Sequence, residues 1–187
     1  MYGIIDQVNC SYMNRRTAIR NAVIISAGAG LLPSCMQDDK SSIPLKNISL
    51  TRSQEKMLAE LTETIIPKTK NFIGAKDLKA HEFVLTMVDD CTSPEDQKKF
   101  MDGLKAFDKL SHDKFGQLFT GYTAEQKKSL LTDIENKKDI PEDALRFYGT
   151  VKRYTVQSFT SSKEYMTGIR KYKMVPGPVF KGCVKAS

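Results

Sequence analysis

The sequence predicts an all-α domain, a compact bundle of about five to six helices with an irregular C-terminal tail. Between residues 50 and 160 the apolar side chains recur at helical spacing, and capping signals stand before the apolar runs. No alternating strand run and no hairpin dipeptide such as Asn-Gly interrupts them. Helices of this kind must bury their apolar stripes against one another, which makes a bundle the natural architecture.

The elements follow in chain order. Thr51 and Gln54 have the spacing of a capping box, and Met57, Leu58, Leu61, Ile65 and Ile66 continue the first helix until Pro67 stops it. Lys68 to Lys76 contains Gly74 and reads as a loop. Asp77 is placed to cap a second helix with Ala80, Phe83, Val84, Met87, Val88 and Cys91 on its inner face. Ser93, Pro94 and Glu95 supply an N-cap, a first-turn proline and an acid at the positive end of the dipole, and the third helix turns Phe100, Leu104, Phe107 and Leu110 inward. The stretch from His112 to Gly121 is less regular, with Phe115, Leu118 and Phe119 as a further apolar patch. A second capping box, Thr123 and Gln126, precedes Leu130, Leu131 and Ile134. Asp139, Pro141 and Glu142 open a fifth helix whose Leu145, Tyr148, Val151, Tyr154 and Phe159 face the core. A short helix from Lys163 to Lys171 precedes the tail, Val175 to Cys183, rich in proline and glycine.

Composition sets outer bounds. A chain of 187 residues, 40% hydrophobic and 27% charged, suits one globular domain, and 11 glycines with 7 prolines exclude a collagenous or low-complexity protein. The net charge of +7 comes from basic residues scattered along the chain rather than one stripe, so no nucleic-acid partner is predicted.

The N-terminus reads as an address. Arg15, Arg16 and Arg20 precede an uncharged, largely apolar stretch from Asn21 to Ser34, the pattern of an export signal and too short to span a bilayer. Asn14, Arg15, Arg16 and Thr17 resemble the twin-arginine export motif. Met13 is read as the true start, with residues 1–12 upstream of it. Leu31, Leu32, Pro33, Ser34 and Cys35 resemble a lipobox, so Cys35 is the predicted lipidation site and residues 1–34 the signal. Residues 35–49, polar from Gln37 to Ser42, are expected to be a tether, and residues 50–187 the helical domain. Several acyl chains at Cys35, each contributing about 0.8 kcal/mol per buried CH₂, would anchor the chain on the exported, periplasmic or cell-envelope face of a membrane. Removing Arg15, Arg16, Arg20 and Asp6 from the 29 basic and 22 acidic residues leaves 26 and 21, a net of +5 that could complement an acidic partner.

Cysteine fate follows from that address. Cys10 leaves with the leader and Cys35 carries lipid, so Cys91 and Cys183 remain in an oxidising compartment. A disulfide between them would pin the tail and, closing a loop of about 90 residues, is worth roughly 4–5 kcal/mol in the chain-entropy view. The alternative is two buried free thiols.

Catalytic constellations are missing from the sequence. His81 lies beside Glu82, but adjacent helical residues point about 100° apart and form no dyad, so His81 is read as a packing or interface residue. His112 is read as a helix-dipole partner. Asp89, Asp90, Glu95 and Asp96 lack an EF-hand pattern and read as a solvated turn with capping acids. Tyr148, Tyr154, Tyr165 and Tyr172 offer aromatic surface, with core packing the reading for the first two. There is no GxGxxG, GxSxG, P-loop, HExxH or CxxCH. No catalytic, cofactor-binding or metal-binding residue is predicted in this chain.

Other residues carry a family resemblance. Leu61, Ile65, Ile66 and Pro67, then Gly74, Ala75, Lys76 and Asp77, then His81, Glu82 and Phe83 resemble the opening of the gluconate 2-dehydrogenase subunit 3 family. Asp90, Cys91, Ser93, Pro94, Glu95, Gln97, Phe100, Gly103 and Leu104 continue it. Thr155, Phe159 to Ser162, Gly168, Tyr172, Val175 to Gly177 and the Gly182, Cys183 pair resemble its end. The resemblance implies a small, non-catalytic subunit of a membrane-associated, periplasm-facing dehydrogenase that oxidises sugars, polyols or aldonates such as gluconate. It implies a large flavoprotein partner of the GMC type holding FAD, and a haem-bearing cytochrome c as electron acceptor. The small subunit would carry the export signal for the large one. A stand-alone helical lipoprotein acting as a binding or adaptor module is the competing expectation.

Overall fold

A computed structural model describes residues 40–173. Five α-helices account for most of this span: α1 (Arg52–Ile65), α2 (Ala80–Cys91), α3 (Pro94–Phe115), α4 (Ala124–Glu135) and α5 (Glu142–Ser161). A 3₁₀ turn, Phe119–Gly121, joins α3 to α4, and a π-helical turn, Tyr165–Ile169, follows α5. Extended pairing is confined, among the described residues, to one isolated antiparallel bridge between Lys40 and Thr51. The predicted all-α class and helix order are therefore present, while the predicted tail from Val175 to Cys183 lies outside the described residues.

Local chemistry explains the helix ends. Both predicted capping boxes form: the Thr51 hydroxyl accepts the Gln54 N–H and the Gln54 side chain accepts the Thr51 N–H, and Thr123 with Gln126 repeats the exchange. Ser93 caps α3 by accepting the Asp96 N–H, with Pro94 at the first helical position. α3 runs further than predicted. It passes through His112, in its last turn as expected of a dipole partner, and ends at Phe115, where the Gly116 N–H closes onto the His112 carbonyl.

The α2 start differs from expectation. Asp77 does not cap the helix; its carboxylate accepts the Gly74 N–H at 3.3 Å and pairs with Lys68 at 3.0 Å, and α2 begins three residues later, after Lys79 in the left-handed region. The buried face of α2 is also rotated. Ala80, Val84, Leu85, Val88 and Asp89 are buried, Phe83 and Met87 are half-buried, and Cys91 is exposed. A neighbour that the sequence does not announce stands on this face: the backbone of residues 46–48 bonds to the Asp89 carboxylate, and Ile48 and Leu50 join the core.

The core is centred on α3 and α5. Phe107 stacks at 5.5 Å from Phe147 and 5.4 Å from Phe119, and Phe100 lies 5.0 Å from Phe147. Leu58, Leu61, Val84, Leu104, Leu130, Ile134 and Val151 fill the space around these rings. Ala144, Phe147, Tyr148, Val151, Tyr154 and Thr155 form the inner stripe of α5, so Leu145 stands at its margin and Phe147 is the ring that helical spacing from Tyr148 leaves out. From the predicted patch after α3, Phe119 is fully buried whereas Leu118 projects outward.

Close approach of α3 to α5 depends on Gly103. A Cβ there would lie 2.6 Å from the Asp143 carbonyl oxygen and 2.7 Å from the Phe147 Cβ, distances that no real side chain tolerates. Backbone and a fixed core ring are both in the way, so the helices themselves would have to separate. Gly103→Ala is expected to destabilise the domain by about 1–3 kcal/mol through overpacking, despite alanine's better helix propensity. Urea unfolding at neutral pH checks this, and an unchanged or higher midpoint would contradict the packing argument.

Candidate functional site

Arg15, Arg16, Cys35 and Cys183 lie outside the described residues. Cys91 ends α2 with an exposed side chain and a free thiol. The four acids do not form the expected solvated cluster. Asp90, Glu95 and Asp96 are exposed and pair with Lys46 or Lys99, but Asp89 is only 3% exposed.

Asp89 is the clasp of the N-terminal segment. Its carboxylate accepts backbone N–H groups from Lys46 at 2.8 Å, Asn47 at 2.7 Å and Ile48 at 2.8 Å, while its own carbonyl accepts the side-chain amides of Asn47 and Gln97, each at 2.8 Å. Burial by itself would push the carboxyl up; the three backbone donors outweigh it and hold the group below the usual aspartate range. Glu55 in the first turn of α1 fastens the same segment further upstream, accepting the Ser41 hydroxyl at 3.0 Å and the Ser42 N–H at 2.7 Å. Ile48 and Leu50 are then buried in the core. Residues 41–49, read from the sequence as tether, are thus part of the folded domain. Asp89 has a faint signal in the sequence, standing four residues after Leu85 on what becomes the buried face, whereas its three donors are unpredictable backbone groups.

A second clasp organises the loop after α1. The Glu63 carboxylate accepts the N–H groups of Lys68 and Lys76, both at 2.8 Å. Gly74 passes so close that a Cβ would lie 2.5 Å from the Glu63 Oε1 and 2.7 Å from the Lys68 nitrogen. Ala75 is fully buried beside it. This packing accounts physically for the Gly74, Ala75, Lys76 run noted in the sequence.

A cleft of about 610 Å³ lies between α1 and α4. Glu60 in its wall bonds Lys127 at 2.8 Å and Lys76 at 2.7 Å, and those bonds hold its carboxyl below the usual range. Tyr148 donates to Glu135 at 2.8 Å, and burial followed by that bond pushes its hydroxyl well above the ordinary tyrosine range. Groups so paired are poor proton donors or acceptors near neutral pH. His81 is half-buried, and burial holds its imidazole below the ordinary range against the weaker pull of Glu82 and Glu55. Its Nδ1 is enclosed without a partner. Among the described residues, no nucleophile stands in hydrogen-bond contact with it.

Among the described residues, the buried polar ones, Thr62, Asp89, Gln97, Ser111 and Thr155, are all engaged with the backbone. Thr62, Ser111 and Thr155 donate to carbonyls three or four residues back, and Asp89 and Gln97 join the clasp already described. Among the described residues, no group of three or more His, Cys, Asp or Glu could hold a metal ion, and no helix is long and apolar enough to cross a membrane. The arrangement is chemically suited to holding a segment and presenting surfaces.

Asp89→Ala is expected to cost roughly 2–3 kcal/mol, since three backbone donors lose a charged acceptor in a buried place. Its folded carboxyl lies below its unfolded value, so its contribution is complete above the unfolded value of about 3.9 and is lost as pH falls through the folded one. Wild-type stability should therefore fall more steeply than that of Asp89→Ala on acidification below about pH 4, as read by thermal unfolding against pH. Equal slopes would show that Asp89 is not held as described.

No curated protein and no solved structure matches the chain. A family model described as gluconate 2-dehydrogenase subunit 3 matches residues 52–177, from the first residue of α1 to beyond the π-helical turn. With that match extending over the whole helical domain, the chain belongs to the gluconate 2-dehydrogenase subunit 3 family.

Proposed function

We propose that this chain is the non-catalytic small subunit, and the export escort, of a periplasm-facing FAD-dependent dehydrogenase that oxidises sugars, polyols or aldonates such as gluconate. The observation that carries this reading is the family match over residues 52–177. It is supported by the engagement of the buried polar residues in backbone hydrogen bonds, and by a leader with Arg15 and Arg16.

In this reading the chemistry belongs to the partner. A large GMC-type flavoprotein holds FAD and removes the electrons from substrate, and a cytochrome c accepts them at its haem. The small subunit brings the twin-arginine leader, which allows a folded, cofactor-loaded partner to be carried out with it. Cys35 then takes lipid and fixes the complex to the cell-envelope face of the membrane. Cys91, exposed at the end of α2, is accessible for a bridge to Cys183 that would tie down the C-terminal tail.

Replacing Arg15 and Arg16 together with lysine keeps the charge but removes the paired guanidinium motif. The expected result is at least a tenfold fall of both this chain and the flavoprotein in the periplasmic and membrane fractions, with folded flavoprotein retained in the cytoplasm. Normal export of the flavoprotein would refute the escort role, and purification of this chain as a stable monomer without any flavoprotein would favour a stand-alone lipoprotein. A non-reducing peptide map of the exported chain should contain a Cys91–Cys183 linked peptide; two alkylatable thiols would refute the bridge.

A further inference from the structure

His81 is the second residue of α2, and the start of that helix has no side-chain cap. Lys79 precedes it in the left-handed region, and the Lys79 carbonyl accepts the Glu82 N–H at 2.9 Å. Aligned peptide dipoles make this end of a helix a poor place for a cation. The ring is half-buried, and its Nδ1 is enclosed without a partner. In an imidazolium both ring nitrogens donate, so protonation would leave a buried Nδ1–H with no acceptor.

Four charged side chains act on the ring. Burial is the largest influence and holds the imidazole below its ordinary range; Glu82 of α2 and Glu55 of α1 oppose it, and Lys79 and Lys76 of the preceding loop add to it. Lys76 is itself paired with Glu60 at 2.7 Å, and Glu82 with Lys79 at 3.1 Å. Glu55 differs from Glu82 in that its partners belong to the segment before α1. It accepts the Ser41 hydroxyl at 3.0 Å, the Ser42 N–H at 2.7 Å and the Ser42 hydroxyl at 2.5 Å. Influence runs both ways, since the His81 charge also acts on the Glu55 carboxyl.

The segment therefore has two fastenings of different kinds. Asp89 holds the backbone of residues 46–48, while Glu55 holds Ser41 and Ser42, and Ile43 donates its N–H to the Ser41 hydroxyl at 3.2 Å. Burial alone would raise the Glu55 carboxyl; the bonds from Ser42 and Ser41 outweigh it and hold the group below the ordinary range, as the backbone donors do for Asp89. Both acids keep their charge through the range in which a histidine titrates.

We propose that His81 is a proton-operated release for the upstream fastening: on taking up a proton the imidazole draws the Glu55 carboxylate off Ser41 and Ser42, and residues 41–43 come away from α1 while Asp89 keeps residues 46–48 in place. This switch is a property of the folded domain and does not rest on the subunit reading. The docked His81 titrates below the open one, so the neutral ring's contribution is complete above the open value of about 6.5 and is lost as pH falls through the docked value. Linkage limits the loosening at about pH 5 to roughly 30-fold, the ratio for a ring that titrates at about 6.5 when open and stays neutral when docked.

The test follows the full-length, ¹⁵N-labelled chain by NMR from about pH 7.5 to about pH 5, the range that brackets an ordinary histidine. Solvent exchange of the Ser41, Ser42 and Ile43 amides, corrected for its intrinsic pH dependence, reports the upstream fastening, and the Ile48 amide on Asp89 is the internal reference. Imidazole C–H shifts, assigned with His112→Gln, report His81. Protection of the Ser42 amide is expected to fall by about tenfold with the midpoint of His81, while Ile48 keeps its protection. His81→Gln, neutral throughout, should hold the Ser42 protection constant. Unchanged protection in the wild type overturns the proposal. Equal loss in His81→Gln also overturns it, because another group would then drive the release, and so does a His81 midpoint at or above about 6.5. Should His81→Gln fail to fold by circular dichroism, the wild-type chain decides: an exchange midpoint about one pH unit or more away from that of His81 rejects the switch.

Discussion

The rest of the domain depends on how closely α3 approaches α5. Gly103 removes the side chain that would hold the two helices apart, and Phe100, Phe107 and Phe147 then meet across the seam with ring centroids 5.0–5.5 Å apart. α1 and α2 pack onto α5, and the 3₁₀ turn packs onto α3. Phe119 in the 3₁₀ turn stacks on Phe107, and Tyr122 reaches back to the Ser111 carbonyl, so the connection between α3 and α4 is seated from within. Val84, Leu85 and Val88 of α2, together with Leu58 and Leu61 of α1, complete the same apolar cluster. The bundle holds because large rings bury much area at low conformational cost, and because one glycine lets them do so.

Around this seam, carboxylate and amide groups hold irregular backbone, from buried Asp89 to half-buried Glu63. Asp89 gathers the chain at Lys46 to Ile48, and Glu63 gathers the loop from Lys68 to Lys76. Both acids substitute for secondary structure: each satisfies peptide N–H groups that have no helix to bond with. The functional consequence is geometric. The segment before α1 is clasped to α1 and α2, and the loop after α1 is clasped back onto it, so both flanks of that helix are fixed without secondary structure of their own.

Much of the architecture was legible because it is written in local patterns. Thr51 with Gln54, Thr123 with Gln126, and Ser93 with Pro94 mark helix starts through bonds that span three or four residues, and these bonds form as read. Where the reading missed, a distant neighbour was responsible. Asp77 serves Gly74 and Lys68 rather than α2, and the backbone of residues 46–48 bonds to Asp89, which is buried while Cys91 is exposed. Helical spacing defines a stripe but not which edge of it a neighbour will cover, so Phe147, unassigned by that spacing, is buried in the core while Leu145 stands half-buried at its margin.

The sequence by itself determined the all-α class, the order of the helices, their caps and the membership of the family, since each rests on short-range spacing or on the order of residues along the chain. Only the tertiary structure decided that residues 41–49 belong to the domain rather than to a tether, and that Asp89 is a buried clasp. It also collected Phe72, Phe159 and Tyr165 in one aromatic cluster. The physical reason is the same in each case: these features are contacts between residues far apart in sequence, and no local pattern of side chains encodes which distant backbone will arrive beside them.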